Sequence, residues 1–343
     1  MSNQASGIPR SHAGEEVNEL RFDDRVAVVT GAGRGLGRSY ALLLASRGAK
    51  VVVNDTGASL TGDGADTGPA DEVLREIEAA GGEAVACAES VATAVGGKAI
   101  IQAALDHYGG IDILVHNAGT VRRAPLTHMT YEDFDAVLDV HLRGAFHVVR
   151  PAFPLMRSGR HGRIVLTSSI GGLYGNHDVA NYAVAKAGVV GLSNVIALEG
   201  AADDVKCNVI VPSAVTRMAE GLDISAYPPM CPEQVAPVVG WLAHESCSIT
   251  GEILIAIAGR VARAVVAESE GVFRPSWSIE QVGEDLNAIR DMNAPRVFPV
   301  VPDGHADHLR YSFSMVRPAT TQGPEEKPGN RPEPEGARDG QRR

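Results

Sequence analysis

The sequence has few cysteines, no excess of positive charge and no long apolar run. Its four cysteines show neither metal-ligand spacing nor a Cys-x-x-Cys pair, which argues against a metal site and suits a reducing compartment (Cys87, Cys207, Cys231 and Cys247). The net charge of −11 argues against a nucleic-acid partner that depends on a general basic surface. No apolar run approaches the roughly 18 residues of a membrane span.

The two ends of the sequence carry no targeting signal. The polar N-terminus has no apolar core of a secretory signal, and the last three residues, Gln341-Arg342-Arg343, are not a peroxisomal tripeptide. We therefore expect a cytoplasmic protein with no metal ion, no nucleic-acid partner and no membrane span.

Apolar runs alternate with amphipathic helical stretches from Arg25 onwards. The expected strands are Val26–Thr30, Val51–Asn54, Ala84–Cys87, Ile113–His116, Arg163–Thr167, Lys206–Val211 and Ile253–Ile257. The expected helices include Gly35–Arg47, Ala70–Ala80, Ala99–Tyr108, Tyr131–Met156, Ala180–Glu199 and Glu233–Ala243. Strands that are apolar on both faces are typical of a parallel sheet covered by helices. The pattern predicts an α/β fold with a doubly wound, Rossmann-like parallel sheet.

Composition divides the chain into four stretches. Residues 1–22 form a polar leader, and residues 23–262 carry the strand–helix alternation as a single domain. We expect a C-terminal extension over residues 263–316, with a helix near 278–293 that a Ser278-x-x-Gln281 capping box opens. Residues 317–343 are rich in Pro, Gly, Glu and Arg, which predicts a disordered tail.

A glycine-rich turn, Thr30–Gly37, follows the first apolar strand and opens a helix. Gly31, Gly35 and Gly37 allow a tight turn and let the backbone approach a pyrophosphate, which the helix N-terminus then stabilises. Many strand–helix turns carry glycines for packing alone. The preceding strand and the later Asp55 favour dinucleotide binding.

Asp55 ends the second strand, where the adenosine ribose of a dinucleotide lies. Its carboxylate can accept hydrogen bonds from both ribose hydroxyls and would repel a 2′-phosphate, which favours NAD over NADP. Arg34 favours the opposite choice, since a guanidinium in the glycine turn could pair with that phosphate. The other interpretation of Arg34 is a solvated loop residue. We expect NAD.

Tyr182 and Lys186 lie four residues apart and share one helix face, thirteen residues or more after Ser169. A lysine ammonium can stabilise a phenolate, and a serine hydroxyl can hold the oxygen of a substrate. Such groups can move a proton while a nicotinamide takes a hydride. Many helices carry a tyrosine that only packs against its neighbours and a lysine that is only exposed to solvent. The spacing nevertheless favours a nucleotide-dependent oxidoreductase.

These motifs together, with Asn117-Ala118-Gly119 after the fourth strand, resemble the short-chain dehydrogenase/reductase superfamily over about residues 22–262. The resemblance implies a sheet of seven strands in the order 3-2-1-4-5-6-7. It implies that Tyr182 is the acid/base catalyst, that Lys186 lowers its pKa and binds the nicotinamide ribose, and that Ser169 orients the substrate oxygen. It also implies homodimers or homotetramers paired through Tyr131–Met156 and Ala180–Glu199.

The resemblance assigns further contacts with the cofactor. They comprise Leu36, Glu89, Ser90, Val91, Asn117, Ala118, Gly119, Pro212, Val215 and Thr216, besides the glycine turn, Asp55, Tyr182 and Lys186. Glu89 stands where an acid commonly meets adenine, although a solvated loop acid is an equal interpretation. The stretch that ends at Thr216 is one residue shorter than usual, so the register of its threonine is open.

His141 departs from the superfamily pattern. Val140-His141-Leu142-Arg143-Gly144 stands where most members have Val-Asn-Leu-x-Gly, and that asparagine links through its backbone carbonyl and a water to the active-site lysine. A carbonyl survives replacement by histidine, so the relay can persist. We favour a buried histidine satisfied by hydrogen bonds; a catalytic imidazole is the alternative.

The stretch around His141 resembles the dehydrogenase domain of peroxisomal multifunctional enzyme type 2, the 17β-hydroxysteroid dehydrogenase type 4 group. Further matches are Val53-Asn54-Asp55 with its glycine-rich loop, Thr167-Ser168-Ser169, Tyr174-Gly175-Asn176, Arg217-Met218 and Trp241–Cys247. The resemblance implies oxidation of a 3-hydroxyacyl-CoA or another bulky lipid alcohol with NAD. Too few residues follow Gly259 for a hydratase, so we expect a stand-alone dehydrogenase.

Other functions stay open at this point. The segment from Ala214 to Pro232 is expected to form a short lid, and the open mouth that it leaves suits a long lipid substrate. A ketoreductase, or a small alcohol or steroid dehydrogenase that needs no CoA, would use the same residues. A non-catalytic NAD sensor is a third possibility, which the presence of Ser169, Tyr182 and Lys186 disfavours.

Overall fold

The computed structural model describes residues 19–217 and 228–316. Its centre is a sheet of eight strands in the order β3-β2-β1-β4-β5-β6-β7-β8. The strands are β1 (Val26–Thr30), β2 (Lys50–Asn54), β3 (Glu83–Cys87), β4 (Ile113–His116), β5 (Gly162–Thr167), β6 (Val205–Ser213), β7 (Ile253–Ile257) and β8 (Arg260–Ala264). The seven expected strands pair in parallel in the predicted order, so the doubly wound fold is confirmed.

The eighth strand was not expected. β8 pairs with β7 in antiparallel fashion, and Ala258 and Gly259 alone connect the two strands. Both residues have a left-handed backbone, with φ of 48° and 79°. That conformation is the one that a tight two-residue hairpin requires. The parallel sheet therefore ends in an antiparallel edge.

Helices cover both faces of the sheet. They are α1 (Gly35–Ser46), α2 (Gly68–Ala79), α3 (Ala94–Tyr108), α4 (Tyr131–Leu138), α5 (Gly144–Gly159), α6 (Ile170–Tyr174), α7 (Ala180–Gly200) and α8 (Ala236–Ala243). The single helix expected over Tyr131–Met156 is interrupted by a π-helical turn, Asp139–Arg143, which separates α4 from α5. Single π turns inside helices frequently lie at functional sites.

The core has two layers, one on each face of the sheet. Side chains of β1 alternate between them: Ala27 and Val29 pack with α1, α2 and α8, whereas Val26 and Val28 pack with α3, α5 and α7. All five residues of β1 are buried, which explains why its sequence is apolar without alternation. This packing leaves only the two ends of the sheet free to form a site.

One segment, Ala180–Asp203, is long and apolar enough to cross a membrane by length and composition. Its helix α7 lies against β5 and β6, and Val189, Ile196 and Ala197 belong to the core. The central helix of a buried layer needs the same composition, so its hydropathy has an explanation within the fold.

The chain divides into two compact units, and residues beyond Ala267 contribute to both. Among the described residues, unit 1 contains the sheet together with Val297–His305, and unit 2 contains Glu268–Arg296 and residues 306–316. Within unit 2, backbone bonds join Glu268 to Arg296, and the Arg296 guanidinium lies 4.0 Å from the centre of the Tyr311 ring.

Unit 2 differs in detail from the expected extension. The helix expected near 278–293 is two short helices, α9 (Ile279–Glu284) and α10 (Leu286–Ile289), and a further helix follows, α11 (Gly304–Ser314). The Ser278–Gln281 capping box forms as expected. Gly283 lowers the helix propensity of the last turn of α9, and Asp285 between the two helices leaves the helical conformation. The expectations for residues 1–18, for Met218 and the rest of the lid over 218–227, and for 317–343 fall outside the described residues.

Candidate active site

A cavity of about 380 Å³ lies at the carboxyl ends of the central strands. This edge of an open parallel sheet is where such folds bind their ligands. Most of the predicted site residues line the cavity: Gly31, Arg34, Gly35, Leu36, Asp55, Glu89, Ser90, Val91, Asn117, Ala118, Gly119, His141, Tyr182, Lys186, Pro212 and Thr216. Gly37, Ser169 and Val215 do not line it. The fold thus brings together residues that are far apart in the sequence.

The glycine turn and the turn after β4 pack directly on one another. Gly31 has φ of 64°, and a Cβ atom there would lie 2.7 Å from the Cα of Ala118. The side-chain amide of Asn117 donates to the carbonyl of Gly31 at 3.1 Å, which fixes this approach. Gly37 is buried in α1 and packs behind the turn, against Gly31. Exposed backbone and the N-terminus of α1 therefore form a surface that fits a diphosphate.

Asp55 is held rigidly at the end of β2. One carboxylate oxygen accepts the N–H of Gly33 at 2.8 Å, and the other accepts the N–H of Gly57 at 2.7 Å. A carboxylate oxygen can accept more than one hydrogen bond, so both can still receive a ribose hydroxyl. Arg34 lines the same cavity. The residues present therefore fit an adenine dinucleotide.

The loop that follows Asp55 forms one wall of the cavity, which the sequence did not reveal. A backbone bond between Asp66 and Thr56, 2.8 Å long, closes the loop, and Ser59, Leu60 and Gly62 line the cavity. Arg122 attaches the loop to the turn after β4, because its Nε donates to the carbonyl of Thr61 at 2.9 Å. The only sequence signal was the loop's glycines, Gly57, Gly62 and Gly64.

Ser169, Tyr182 and Lys186 meet where β5 ends and α7 begins. Lys186 is 3% exposed, and its Nζ donates to the carbonyl of Thr167 at 2.7 Å and lies 5.7 Å from the centre of the Tyr182 ring. The Ser169 hydroxyl caps α6 by accepting the N–H of Gly171 at 3.1 Å, and it hydrogen bonds with the Tyr182 side chain. The fold therefore brings the three residues together, and their catalytic roles stay a prediction.

Burial governs the acidity of this group. It raises the pKa of the Tyr182 hydroxyl, an effect that the Ser169 hydrogen bond and the charge of Arg123 only partly oppose. It also lowers the pKa of Lys186 to about 7. The groups that lower the pKa of Tyr182 here are Ser169 and Arg123, so a lowering of that pKa by Lys186 stays a prediction.

His141 lies beside Tyr182 in the π-helical turn. The two rings meet edge to face, with centres 5.1 Å apart and planes at 84°. Nε2 of His141 lies 3.0 Å from the backbone nitrogen and 2.7 Å from the carbonyl oxygen of Thr120, whereas Nδ1 is buried with no hydrogen-bond partner among the described residues. Burial, followed by the charge of Lys186, holds the pKa of His141 well below its usual range. The contact is thus between rings, and the imidazole is neutral.

His116 was not predicted as part of the site, and it lies behind the cavity rather than in its lining. It is 1% exposed at the end of β4, and its Nε2 lies 3.2 Å from the backbone carbonyl oxygen of His141. This is the carbonyl that we expected to face a water and the lysine. The available signal was a polar side chain at the end of an otherwise apolar strand.

A larger cavity, of about 560 Å³, lies at the opposite ends of the strands. Its lining includes Phe22, Arg25, His161, His244 and Glu245. Arg25 forms ion pairs there with Asp112 at 3.2 Å and with Glu245 at 2.7 Å. None of the predicted site residues lines it. The smaller cavity is therefore the candidate active site, because the buried titratable groups converge there.

Comparison with known proteins agrees with this geometry. The family model for short chain dehydrogenase matches residues 25–223. Peroxisomal multifunctional enzyme type 2 of Drosophila melanogaster is 47% identical over 282 residues, which are 80% of this chain and 46% of that enzyme. A short-chain type dehydrogenase/reductase of Mycobacterium tuberculosis is 44% identical over 276 residues, with 80% of this chain and 96% of the relative covered. A peroxisomal hydratase-dehydrogenase-epimerase of Neurospora crassa is 40% identical over 304 residues, which are 87% of this chain and 33% of the relative.

Solved structures of short chain dehydrogenases and multifunctional enzymes are similar to this fold. The full-length Drosophila melanogaster enzyme superposes with a TM-score of 0.71 at 39% identity, covering 87% of this chain and 50% of that one. A short chain dehydrogenase from Mycobacterium avium superposes with a TM-score of 0.70 at 40% identity. The match covers 78% of this chain and 95% of that one. The chain spans about half the length of the multifunctional enzymes, 46% of the fly enzyme and 62% of peroxisomal multifunctional enzyme A of Dictyostelium discoideum.

Proposed function

Because the chain belongs to the short-chain dehydrogenase family, we propose that it is an NAD-dependent enzyme that oxidises the secondary alcohol of a bulky lipid, specifically a 3-hydroxyacyl-CoA. The observation that carries the proposal is the group of Ser169, Tyr182 and Lys186 beside a cavity that fits a dinucleotide. The substrate class is supported by relatives named hydratase-dehydrogenase-epimerase, at 40% identity.

The chain's own residues can perform the proton transfer. Bound NAD supplies the acceptor for the hydride that leaves the alcohol carbon. Ser169 holds the substrate hydroxyl, and Tyr182 accepts its proton. Lys186 has three N–H donors, of which the carbonyl of Thr167 takes one, so others can bind the nicotinamide ribose. A full positive charge on Lys186 would then stabilise the phenolate, as burial alone does not.

The remaining cofactor contacts follow from the cavity. Asp55 would hold the adenosine ribose, the turn at Gly31 and Gly35 the diphosphate, and Thr216 the nicotinamide carboxamide. The rigid carboxylate of Asp55 disfavours a 2′-phosphate at this position, which supports NAD over NADP in spite of Arg34. Replacing Asp55 with Ser should lower the preference for NAD by at least about tenfold, since one like-charge repulsion is worth about 1.4 kcal/mol or more.

Substrate class is tested by NADH formation with a panel of alcohols at fixed NAD. The panel pairs 3-hydroxyacyl-CoAs and CoA thioesters of sterol side chains with the corresponding free acids, free steroids and small alcohols. We expect turnover of the thioesters. Turnover of free alcohols alone would contradict the acyl-CoA assignment and leave a CoA-independent ketoreductase or alcohol dehydrogenase. Absence of turnover with retained NAD binding would favour a sensor.

We further propose that the protein forms homo-oligomers in the cytoplasm. Apolar side chains are exposed on α5 and α7 (Phe146, Leu155, Val184, Val195 and Leu198), as two helices that pair between subunits require. Cys87, Cys207 and Cys247 are buried free thiols, which suits a reducing compartment. Light scattering at micromolar concentration tests the oligomer: we expect a dimer or tetramer, and a monomer would contradict it.

A further inference from the structure

We propose that His116 is a positioning residue of this active site: it holds the backbone carbonyl of His141 and so fixes the ring that packs on Tyr182. The inference rests on the proposed dehydrogenase function, and it gives a role to a buried histidine outside the cavity lining. A chain of hydrogen bonds runs from Thr30 at the end of β1 through His116 to the carbonyl of His141. A ring contact then links His141 to Tyr182 in the first turn of α7.

The hydrogen bonds determine which nitrogen of His116 carries the proton. Oγ1 of Thr30 accepts the backbone N–H groups of Asn117 at 3.1 Å and Ala118 at 3.2 Å, so its own proton is free to be donated. The acceptor for that proton is Nδ1 of His116, at 3.0 Å. Nδ1 therefore lacks a proton, and Nε2 carries it. His116 thus donates from Nε2 to the carbonyl of His141, at 3.2 Å.

The imidazole stays neutral, as this arrangement requires. Burial, followed by the charge of Lys186, lowers the pKa of His116 to about 3. A protonated ring would carry a proton on both nitrogens and would lose the bond from Thr30. Thr30, His116 and His141 are each at most 1% exposed, so these bonds are shielded from bulk solvent.

The carbonyl that His116 holds belongs to the π-helical turn, Asp139–Arg143. On the same residue, the His141 ring is confined on three sides. Thr120 contacts its Nε2, Tyr182 meets it edge to face, and Gly119 packs so closely that a Cβ atom there would overlap the ring. Rotation of the turn would therefore move the His141 ring against Tyr182. A buried carbonyl left without its donor would favour such a rotation.

The same chain of hydrogen bonds starts in the wall of the cavity that fits the cofactor. The N–H groups that Thr30 accepts belong to Asn117 and Ala118, which pack on the glycine turn and line the cavity. One network therefore connects the backbone that faces the cofactor with the side chain that transfers the proton. His116 is its central member and contacts neither reactant.

A pair of substitutions separates positioning from simple packing. The amide of His116→Gln supplies one hydrogen-bond donor group and one acceptor, as the imidazole does. His116→Leu fills similar space with neither. We expect His116→Leu to lower kcat by about 10- to 100-fold, the range in which loss of a supporting hydrogen bond affects a site. We expect kcat of His116→Gln to stay within a few fold of the wild-type value. The KM for NAD should change little in either variant. His161→Gln, at the opposite ends of the strands, is the matched control that should leave kcat unchanged.

Two readouts do not depend on turnover. In protein with 15N-labelled histidine, NMR should show His116 as the neutral Nε2–H tautomer from pH 6 to 9. The phenolate absorbance of Tyr182, taken as the difference from Tyr182→Phe, should titrate at a shifted pH in His116→Leu and at the wild-type pH in His116→Gln. If His116→Leu does not fold, Thr30→Val and Thr30→Ser test the bond from its other end through the tautomer of His116. Their kcat is not compared, because Thr30→Val also removes the acceptor for the N–H groups of Asn117 and Ala118.

The outcomes separate the two proposals. An Nδ1–H tautomer, unchanged kcat in His116→Leu, or equal losses in His116→Leu and His116→Gln would each overturn the role of His116. If the wild-type protein oxidises no alcohol of the panel, the proposed function fails. The tautomer and the Tyr182 titration then still decide whether His116 positions that tyrosine.

Discussion

Two cations are buried near opposite ends of strand β5, and their surroundings differ completely. Arg163, at the start of the strand, is 1% exposed, and Lys186, beside the end of the strand, is 3% exposed. All five N–H donors of Arg163 are used: on the carbonyls of Gly162, Asp204, His244 and Glu245, and on the Asp204 carboxylate. Among the described residues, the Nζ of Lys186 donates one hydrogen bond, to the carbonyl of Thr167, and faces the ring of Tyr182.

The difference indicates which of the two cations has a structural role. A buried charge whose donors are all satisfied stabilises the chain around it, since every acceptor depends on it. A buried charge with unused donors is destabilising by itself, and its pKa falls, as burial lowers that of Lys186 to about 7. Such a group is placed to receive a ligand. The unused donors of Lys186 thus agree with the convergence of buried titratable groups in placing the candidate active site at this end of the strand.

The largest expected effect concerns the activity of Lys186→Met. We expect kcat/KM to fall by at least about 10³-fold, the scale of losing a positioned group in acid–base catalysis. The free energy of unfolding at pH 7 should be equal or higher, because an under-satisfied buried cation is removed. Enzyme assays and urea unfolding on the same preparation check both parts. A less stable variant would contradict the comparison.

Arg163→Met should show the opposite behaviour. We expect the free energy of unfolding to fall by about 3 to 5 kcal/mol, because the buried acceptors lose their donor. The folded fraction should retain kcat, since Arg163 lies at the far end of the strand from Tyr182. Urea unfolding and active-site-normalised kinetics measure the two quantities. Asp204→Asn is the milder control, because the Asp204 side chain is 47% exposed and its ion pair is screened by solvent.

The smallest expected effect, taken for each unit of pH, is a dependence of stability on pH. The folded pKa of Lys186, about 7, lies below its unfolded value of 10.5, so between these values the unfolded chain binds the extra proton. The free energy of unfolding should therefore rise with pH across this window, by at most about 1.4 kcal/mol per unit, and stay flat outside it. Urea unfolding of wild type minus Lys186→Met isolates the contribution of this group. A difference that falls with pH would contradict it.

Much of this arrangement could be predicted from the sequence. The strands were located to within one or two residues, because buried parallel strands are continuous apolar runs bounded by turns. Val26–Thr30 and Ile113–His116 have the expected ends. The cofactor surface followed from the glycine turn and Asp55, whose positions are local to one strand–turn–helix unit. Those features depend on neighbours in sequence.

The remainder depends on contacts between distant segments. The π-helical turn adds a residue inside an amphipathic pattern that looks continuous from Tyr131 to Met156. β8 carries Arg260 and Arg263 and so does not resemble a strand, until Ala258-Gly259 turns it onto β7. The bond between His116 and the carbonyl of His141 spans 25 residues and leaves no local signature. Sequence therefore predicted which elements build the site but not the bonds that align them.

The proton-transfer role of Tyr182 is the central claim. The most direct test measures NADH formation from a 3-hydroxyacyl-CoA and, on the same samples, NAD binding by calorimetry, for wild type and Tyr182→Phe. The account predicts turnover by the wild type, turnover at least about 10³-fold lower in the variant, and the same affinity for NAD in both. Turnover that survives the loss of the hydroxyl would contradict it.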